Sequence, residues 1–131
     1  MATGEQIIKL VSMGVVHGQY PAIVNVMTND GGIVSGTFNT YIITIDDEGI
    51  NLYDISVNDQ YNKKGDIKIL FSEMAHAEVQ TANMGITKYL VIYLKNRKWV
   101  PLIFNYRARD YEPQKNNITN IVDFITNYQF E

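Results

Sequence analysis

The chain has 131 residues, a length that predicts one domain able to bury its own core. Hydrophobic residues make up 46% and charged residues 19%, which excludes a disordered chain, and the net charge of −3 offers no basic excess for nucleic acid. The absence of cysteine excludes disulfides, zinc–thiolate sites, iron–sulfur clusters and thiol nucleophiles.

The first twenty residues fit either a short helix or a strand. Their apolar positions suit both periodicities: Ile7, Ile8, Leu10 and Val11. They lack the basic start and long apolar run of a signal peptide, and no stretch reaches the roughly 20 apolar residues of a membrane helix. We therefore expect one cytoplasmic domain over residues 1–131, with its core in residues 22–128.

From residue 22 the pattern is that of short strands joined by tight turns. An apolar, β-branched run at 22–28 leads into the turn sequence NDGG at 29–32, and a second strand ends at the turn DDEG at 46–49. In the INLYDI that follows, apolar side chains alternate onto both faces. This predicts a strand whose two sides are both partly covered.

The second half continues with a polar loop at 56–66, the strand IKILF, and a hairpin in KYLVIYLKNRKWVPLIFN around residues 95–98. Pro101 lacks an amide donor, which predicts an edge position or a bulge. The last segment places an apolar stripe at i, i+3, i+4 and i+7, formed by Ile118, Ile121, Val122 and Ile125. This predicts a C-terminal amphipathic helix with Asn116 or Asn117 as its N-cap and with Phe124 and Tyr128 at the border of its stripe.

The element order favours a mainly β protein in which one helix covers an antiparallel barrel or sandwich. Three segments carry a more specific resemblance: SGTFNTYIITIDDEGINLYDI, IKILFSEMAHAEV with the corner Ser72, Glu73 and Met74, and YLVIYLKNRKWVPLIF. They resemble the second and third strands, the corner, and the sixth and seventh strands of the pleckstrin-homology-like fold, especially of small bacterial pleckstrin-homology and GRAM-like domains. The resemblance spans residues 22–128.

This resemblance implies a non-enzymatic module that works by binding in a bacterial cytoplasm, through a protein partner or through self-association. Phosphoinositide-binding members carry a basic cluster at the first hairpin turn. Here that turn reads TNDGG, with Asp30 and no lysine or arginine, so we do not expect phosphoinositide binding there. An open sheet edge makes β-edge pairing or oligomerisation the expected mode.

The segment FSEMAHAEVQTANMG, residues 71–85, contains both E-x-x-H and H-x-E spacings through Glu73, His76 and Glu78. A di-metal E-x-x-H site needs four helices and a second such pair, and a deaminase H-x-E site needs P-C-x-x-C; the chain has neither. We therefore predict no catalytic, metal or cofactor residue. On a strand, His76 and Glu78 would share one solvent-facing side. The alternative is a continuous helix over residues 72–85, which would make the fold α+β.

A basic turn, defined by Lys95, Arg97 and Lys98, precedes the only tryptophan, Trp99. One interpretation is that the three charges are solvated in a loop and that the tryptophan packs on the core face of its strand. The other is a contact with a partner, an anionic lipid surface or an anionic ligand. These four residues are the candidate binding site of the sequence.

Overall fold

The computed structural model describes the backbone of residues 4–30, 33–55, 61–82, 87–105 and 110–129, and the side chains in these ranges except 27–30, 33–39, 82 and 87. Within these ranges the chain forms two α-helices, seven strands and two short 3-10 helices. The α-helices are α1 (Gly4–Ser12) and α2 (Gln114–Asn127), and the 3-10 helices are Lys63–Gly65 and Phe71–Glu73. The strands are β1 (Gln19–Asp30), β2 (Ile33–Ile45), β3 (Gly49–Asp54), β4 (Ile67–Leu70), β5 (Met74–Ala82), β6 (Thr87–Leu94) and β7 (Trp99–Asn105).

All seven described strands lie in one antiparallel sheet, in the order β4-β3-β2-β1-β7-β6-β5. The sheet is open, with β4 and β5 at its two edges. A mainly β fold with a C-terminal helix is therefore confirmed. The hairpins predicted around 46–49 and 95–98 join β2 to β3 and β6 to β7. The predicted turn at 29–32 joins β1 to β2, but its two glycines lie outside the described residues.

The larger core lies between one face of the sheet and α2. The predicted stripe of α2 is buried there: Ile118, Ile121, Val122 and Ile125. At its border, the rings of Phe124 and Tyr128 remain partly exposed and lie 5.6 and 4.5 Å from the ring of Phe71. The helix thus covers the sheet with the face that its 3.6-residue periodicity predicts.

A second core lies on the opposite face of the sheet, under α1. Ile7 and Leu10 of this helix pack with residues of β2, β3 and the segments beside them: Val16, Ile42, Tyr53, Ile55 and Tyr111. The N-terminal segment is therefore a helix, which decides between the two predicted alternatives. Every residue of β3 is buried, which confirms that this strand is covered on both sides.

Helix α2 begins earlier than its asparagines predict. Pro113 is the residue before the helix, so the assignment of Asn116 or Asn117 as N-cap is wrong. Asn117 instead donates from its side-chain amide to the carbonyl of Pro21 at 2.7 Å. The helix starts at the buried Gln114 because that side chain bonds to the backbone of β1 and β7.

The alternative of a continuous helix over residues 72–85 is wrong for the described part, 72–82. Phe71–Glu73 form one 3-10 turn, and β5 follows at once. Both ends of this corner are anchored, since Phe71 and Met74 are buried in the larger core. Pairing with β6, with a register shift between Met74 and His76, outweighs the helix propensity of the segment.

Pro101 lies in a strand between two neighbours, so the predicted edge position is wrong, and the β6–β7 register shows no bulge at this residue. The backbone of Lys98 accepts from Leu94 of β6, and by alternation the nitrogen of Pro101 faces β1. The β1–β7 ladder covers only Ile103 and Leu102 on β7. The missing N–H of Pro101 therefore falls just beyond the last paired residues of that ladder.

Candidate functional site

The basic turn closes the β6–β7 hairpin and is exposed at its three cations. The amide of Arg97 donates to the carbonyl of Leu94 at 3.0 Å, and Arg97 itself adopts a φ of 71°, in the left-handed region. The amide of Lys95 donates to the carbonyl of Glu73 at 2.9 Å. These bonds hold the turn against the corner before β5.

Trp99 lies on the face of β7 that points away from the larger core. Val100 contacts that core and Leu102 is buried in it, so alternation along the strand places Trp99 on the opposite side. The interpretation of Trp99 as a core-face residue is therefore wrong. Among the residues that the structure describes, no salt bridge engages Lys95, Arg97 or Lys98. The turn thus presents three exposed cations, unpaired within the described ranges, beside a half-buried indole.

His76 and Glu78 share the outer face of β5, as predicted for a strand. Their side chains lie 3.6 Å apart and are 55% and 52% exposed. The His76 ring stacks on Tyr93 of β6, with ring centroids 4.3 Å apart, and Tyr93 pairs in turn with Trp99 of β7. Glu73 lies in the corner before the strand. The described residues contain no group of three or more side chains placed to hold a metal ion.

The open edge of β5 is the feature that the sequence prediction left unspecified. The amide of Leu94 on β6 donates towards β7, so its neighbour Tyr93 directs its backbone groups towards β5. Residues 76, 78 and 80 pair with residues 93, 91 and 89 and therefore face β6. By alternation, the N–H and C=O groups of Ala77, Val79 and Thr81 point to the open edge.

This edge carries few of the features that usually prevent strand pairing. Residues 78–81 are exposed, and β5 reads MAHAEVQTA, with one carboxylate and no lysine or proline. The register shift lies at the start of the strand, so the part from His76 onward pairs regularly. Within the described residues, no side chain or loop hydrogen-bonds to the outward groups of Ala77, Val79 and Thr81.

Sequence reasoning predicted an open edge without naming the strand or the residues. The absence of lysine and proline from MAHAEVQTA could have indicated an unprotected edge strand. That absence is informative, however, only when the strand is known to lie at an edge. No described helix is both long enough and apolar enough to cross a membrane. The sequence matches no model of a known protein family, and a search of curated proteins finds none that is significantly similar.

Proposed function

We propose that this protein is a non-enzymatic binding module of pleckstrin-homology-like architecture that self-associates through the open edge of β5. The observation that carries the proposal is the row of outward backbone groups at Ala77, Val79 and Thr81 on an exposed strand that contains no lysine or proline. An extended strand of another chain satisfies such groups by adding itself to the sheet.

The proposal of a pleckstrin-homology-like architecture rests on where the segments that resemble this fold lie in the structure. The stretches that look like the second and third strands of the family lie in β2 and β3, and those that look like the sixth and seventh lie in β6 and β7. The corner at Ser72–Met74 lies between β4 and β5, and the last helix covers the larger core. These positions support a pleckstrin-homology-like arrangement.

A second copy of the chain is the occupant that this edge fits best. In an antiparallel pair centred on Val79, the outward groups of Ala77 meet those of Thr81 from the other copy, and Val79 meets itself. Glu78 then lies opposite Gln80 rather than opposite another carboxylate, so the only charged residue of the strand is not brought against its copy. The edge is therefore self-complementary.

We expect a weak, reversible dimer. One strand edge buries less than the roughly 1,200 Å² of a stable interface, so affinity in the micromolar range is expected. Sedimentation velocity from about 1 µM to about 500 µM brackets an interaction of this size. The sedimentation coefficient should rise with concentration towards that of a dimer.

The edge assignment is tested by two proline variants one residue apart. Val79→Pro removes an outward N–H and leaves the β5–β6 ladder intact, so it should abolish dimerisation with little change in Tm. Gln80→Pro removes an N–H that faces β6 and should lower the Tm clearly. Val79→Lys, which places a charge on the edge, gives a second route to the monomer if the proline variant folds poorly.

A wild-type chain that stays monomeric over the whole range would overturn self-association. A dimer that persists in both Val79 variants would overturn the use of this edge. If the wild type is monomeric but a synthetic peptide of sequence HAEVQTA binds to it and not to the Val79 variants, the edge serves another protein's strand and the second-copy assignment is wrong.

A second function is favoured by the exposed, uncompensated basic turn beside Trp99: contact with an anionic lipid surface. Cations within a Debye length of such a surface are attracted to it, and an indole can enter the headgroup region. We expect phosphatidylserine vesicles to co-sediment with the protein at low salt and less at high salt. Changing Lys95, Arg97 and Lys98 to serine should remove this binding, whereas changing Lys63 and Lys64 to serine should not. Binding that is insensitive to salt or to the triple change would contradict the assignment.

A further inference from the structure

A groove of about 500 Å³ runs along the outer face of β3 and β4, away from both the β5 edge and the basic turn. We call it the β3–β4 groove. Its floor is formed by outer-face residues of the two strands, and its walls by the α1–β1 connection and by the segment that leads into β4. Among the residues that line it are Val15, His17, Asn51, Tyr61 and Lys63.

The wall from the α1–β1 connection is held rigidly in place. The carbonyl of His17 accepts hydrogen bonds from the hydroxyls of Thr44 and Tyr53, at 2.8 and 3.1 Å. Gly18, at a φ of 111°, lies so close to Thr44 that a β-carbon would stand 2.5 Å from its hydroxyl oxygen. Only glycine permits this approach, so the wall is shaped before any ligand arrives.

The opposite wall is equally organised. Tyr61 donates its hydroxyl proton to the carboxylate of Asp66, and the other oxygen of Asp66 accepts from the amide of Asp54 at 2.9 Å. Burial, followed by the bond and charge of Asp66, raises the pKa of Tyr61 to about 12. This hydroxyl therefore stays protonated, and Asp66 is occupied by groups of the protein itself.

The floor holds a buried acceptor that no described residue satisfies. Asn51 is only 8% exposed, and its amide nitrogen donates to Asp46 at 2.8 Å and to Thr44 at 3.3 Å. Its carbonyl oxygen has no hydrogen-bond donor among the described residues. Buried acceptors are nearly always satisfied, so this one indicates a donor that comes from outside the chain.

The groove offers one cation, Lys63, to an anionic group, and the carboxylate of Asp66, which also lines the groove, is held by Tyr61 and the Asp54 amide. Lys68 is neutralised by Asp46 at 3.0 Å and Glu48 at 3.9 Å, whereas Lys63 has no salt bridge within the part of the chain that is described. The exposed ring of His17 lies on the same groove. Val15 and the ring of Tyr61 supply apolar surface for an uncharged, flat body.

We propose that the β3–β4 groove binds a nucleoside monophosphate. An amino group of the base would donate to the carbonyl oxygen of Asn51, the base would rest on the apolar lining, and the phosphate would contact Lys63 and His17. The volume is within the range of sites for molecules of this size. The site shares no residue with the β5 edge, so the proposal of nucleotide binding is independent of the proposal of self-association.

Isothermal titration calorimetry of the full chain with AMP tests the proposal, with adenosine and ribose 5-phosphate as the two halves of the probe. Both halves should bind at least about tenfold more weakly than AMP, because each lacks one set of contacts. Lys63→Glu should weaken AMP binding at least about tenfold by charge reversal at the phosphate. Lys64→Glu is the matched control: this residue is exposed in the same 3-10 turn, does not line the groove, and should change the affinity less than about threefold.

Absence of AMP binding at millimolar concentration would overturn the proposal. So would equal losses in the two lysine variants, which would indicate unspecific attraction, or equal binding of ribose 5-phosphate and AMP, which would remove the base from the site. The triple serine change in the basic turn should leave AMP binding unchanged, and a loss there would place the phosphate at the other site.

Discussion

Arg97 occupies a backbone conformation that glycine adopts without strain. Its φ of 71° is imposed by the β6–β7 hairpin, in which the Arg97 amide bonds back to Leu94 and the Leu94 amide bonds to Lys98. A left-handed conformation costs a residue with a β-carbon about 1–2 kcal/mol. A charged residue kept at such a position is consistent with a role in binding, because stability alone would favour glycine.

We predict that Arg97→Gly raises the free energy of unfolding by about 1 kcal/mol. The change relieves the backbone strain, but the greater conformational entropy of glycine in the unfolded chain offsets part of this gain. Urea denaturation measures the change. Arg97→Ala removes the same charge but keeps the β-carbon, so it should not stabilise the fold. Equal effects of the two variants would show that charge, and not backbone strain, controls stability here.

Asp46 organises the β2–β3 turn and is linked to the floor of the β3–β4 groove through Asn51. Burial acts to raise its pKa, but hydrogen bonds from the Asn51 side chain, the amides of Glu48 and Gly49, and the Lys68 ammonium together outweigh it. The pKa of Asp46 therefore lies well below its ordinary value of 3.8. The folded state favours the carboxylate more strongly than the unfolded chain does.

A depressed pKa contributes stability that is fully present above the unfolded value and is lost as the pH falls through the folded value. We predict that Asp46→Asn lowers the free energy of unfolding at pH 7 by about 1–3 kcal/mol, the range for hydrogen bonds to a charged group. The difference from wild type should shrink as the pH falls below 3.8. Thermal unfolding from neutral to acidic pH measures it. The exposed neighbour Asp47 is the control, and Asp47→Asn should change the stability at pH 7 by much less.

At the scale of elements, α2 is joined to the sheet by a side chain that behaves like a strand residue. The amide of Gln114 accepts from the N–H of Ile23 at 2.9 Å and donates to the carbonyl of the same residue at 2.9 Å, with a further contact to Asn105 at 3.1 Å. The Gln114 side chain thus extends the hydrogen bonding between β1 and β7 beyond their last paired residues. Because α2 begins at Gln114, the same bonds fix the start of the helix. Three backbone groups depend on it.

We predict that Gln114→Met, which keeps the length of the side chain and removes its polar atoms, lowers the free energy of unfolding by about 2–4 kcal/mol, because buried backbone groups lose their partners. Chemical denaturation measures the loss. Asn116→Ala, an exposed change in the same first turns of α2, should cost much less. If the two changes cost the same, the bond to Ile23 does not hold the helix to the sheet.

At the scale of the whole molecule, one sheet separates two cores. α2 closes the larger core and α1 the smaller one, and β3 contributes side chains to both. A loss of packing under α1 should therefore destabilise the whole sheet and not only the N-terminal helix, because the strands are shared.

We predict that Ile7→Ala lowers the global free energy of unfolding by about 2–4 kcal/mol, the usual cost of truncating a buried isoleucine. Ile8→Ala is the matched control, since Ile8 lies next to it on α1 and is 61% exposed. Tryptophan fluorescence of the distant Trp99 should follow the same transition as circular dichroism in both variants. Separate transitions in the two signals would show that the smaller core unfolds alone.

Local periodicity was enough to predict much of the fold. The 3.6-residue stripe of α2 and the apolar residues on both faces of β3 are properties of neighbouring residues, and the structure confirms both. Periodicity did not settle whether residues 72–82 form a helix or a strand, because their intrinsic propensity favours a helix and pairing with β6 overrides it. Nor did it show on which side of β7 Trp99 would lie.

Residues close together in the chain were enough to predict the mainly β class with its C-terminal helix, the two-sided burial of β3 and the exposed basic turn. They placed His76 and Glu78 on one face only on condition that the segment is a strand, and pairing with β6 meets that condition. The assembled fold was needed to show that β5 lies at an edge, that Pro101 falls beyond the end of a ladder, and that residues near 15, 51 and 63 line one groove. Those facts depend on strand order and register, which are set by pairing between segments distant in the chain and leave no local pattern.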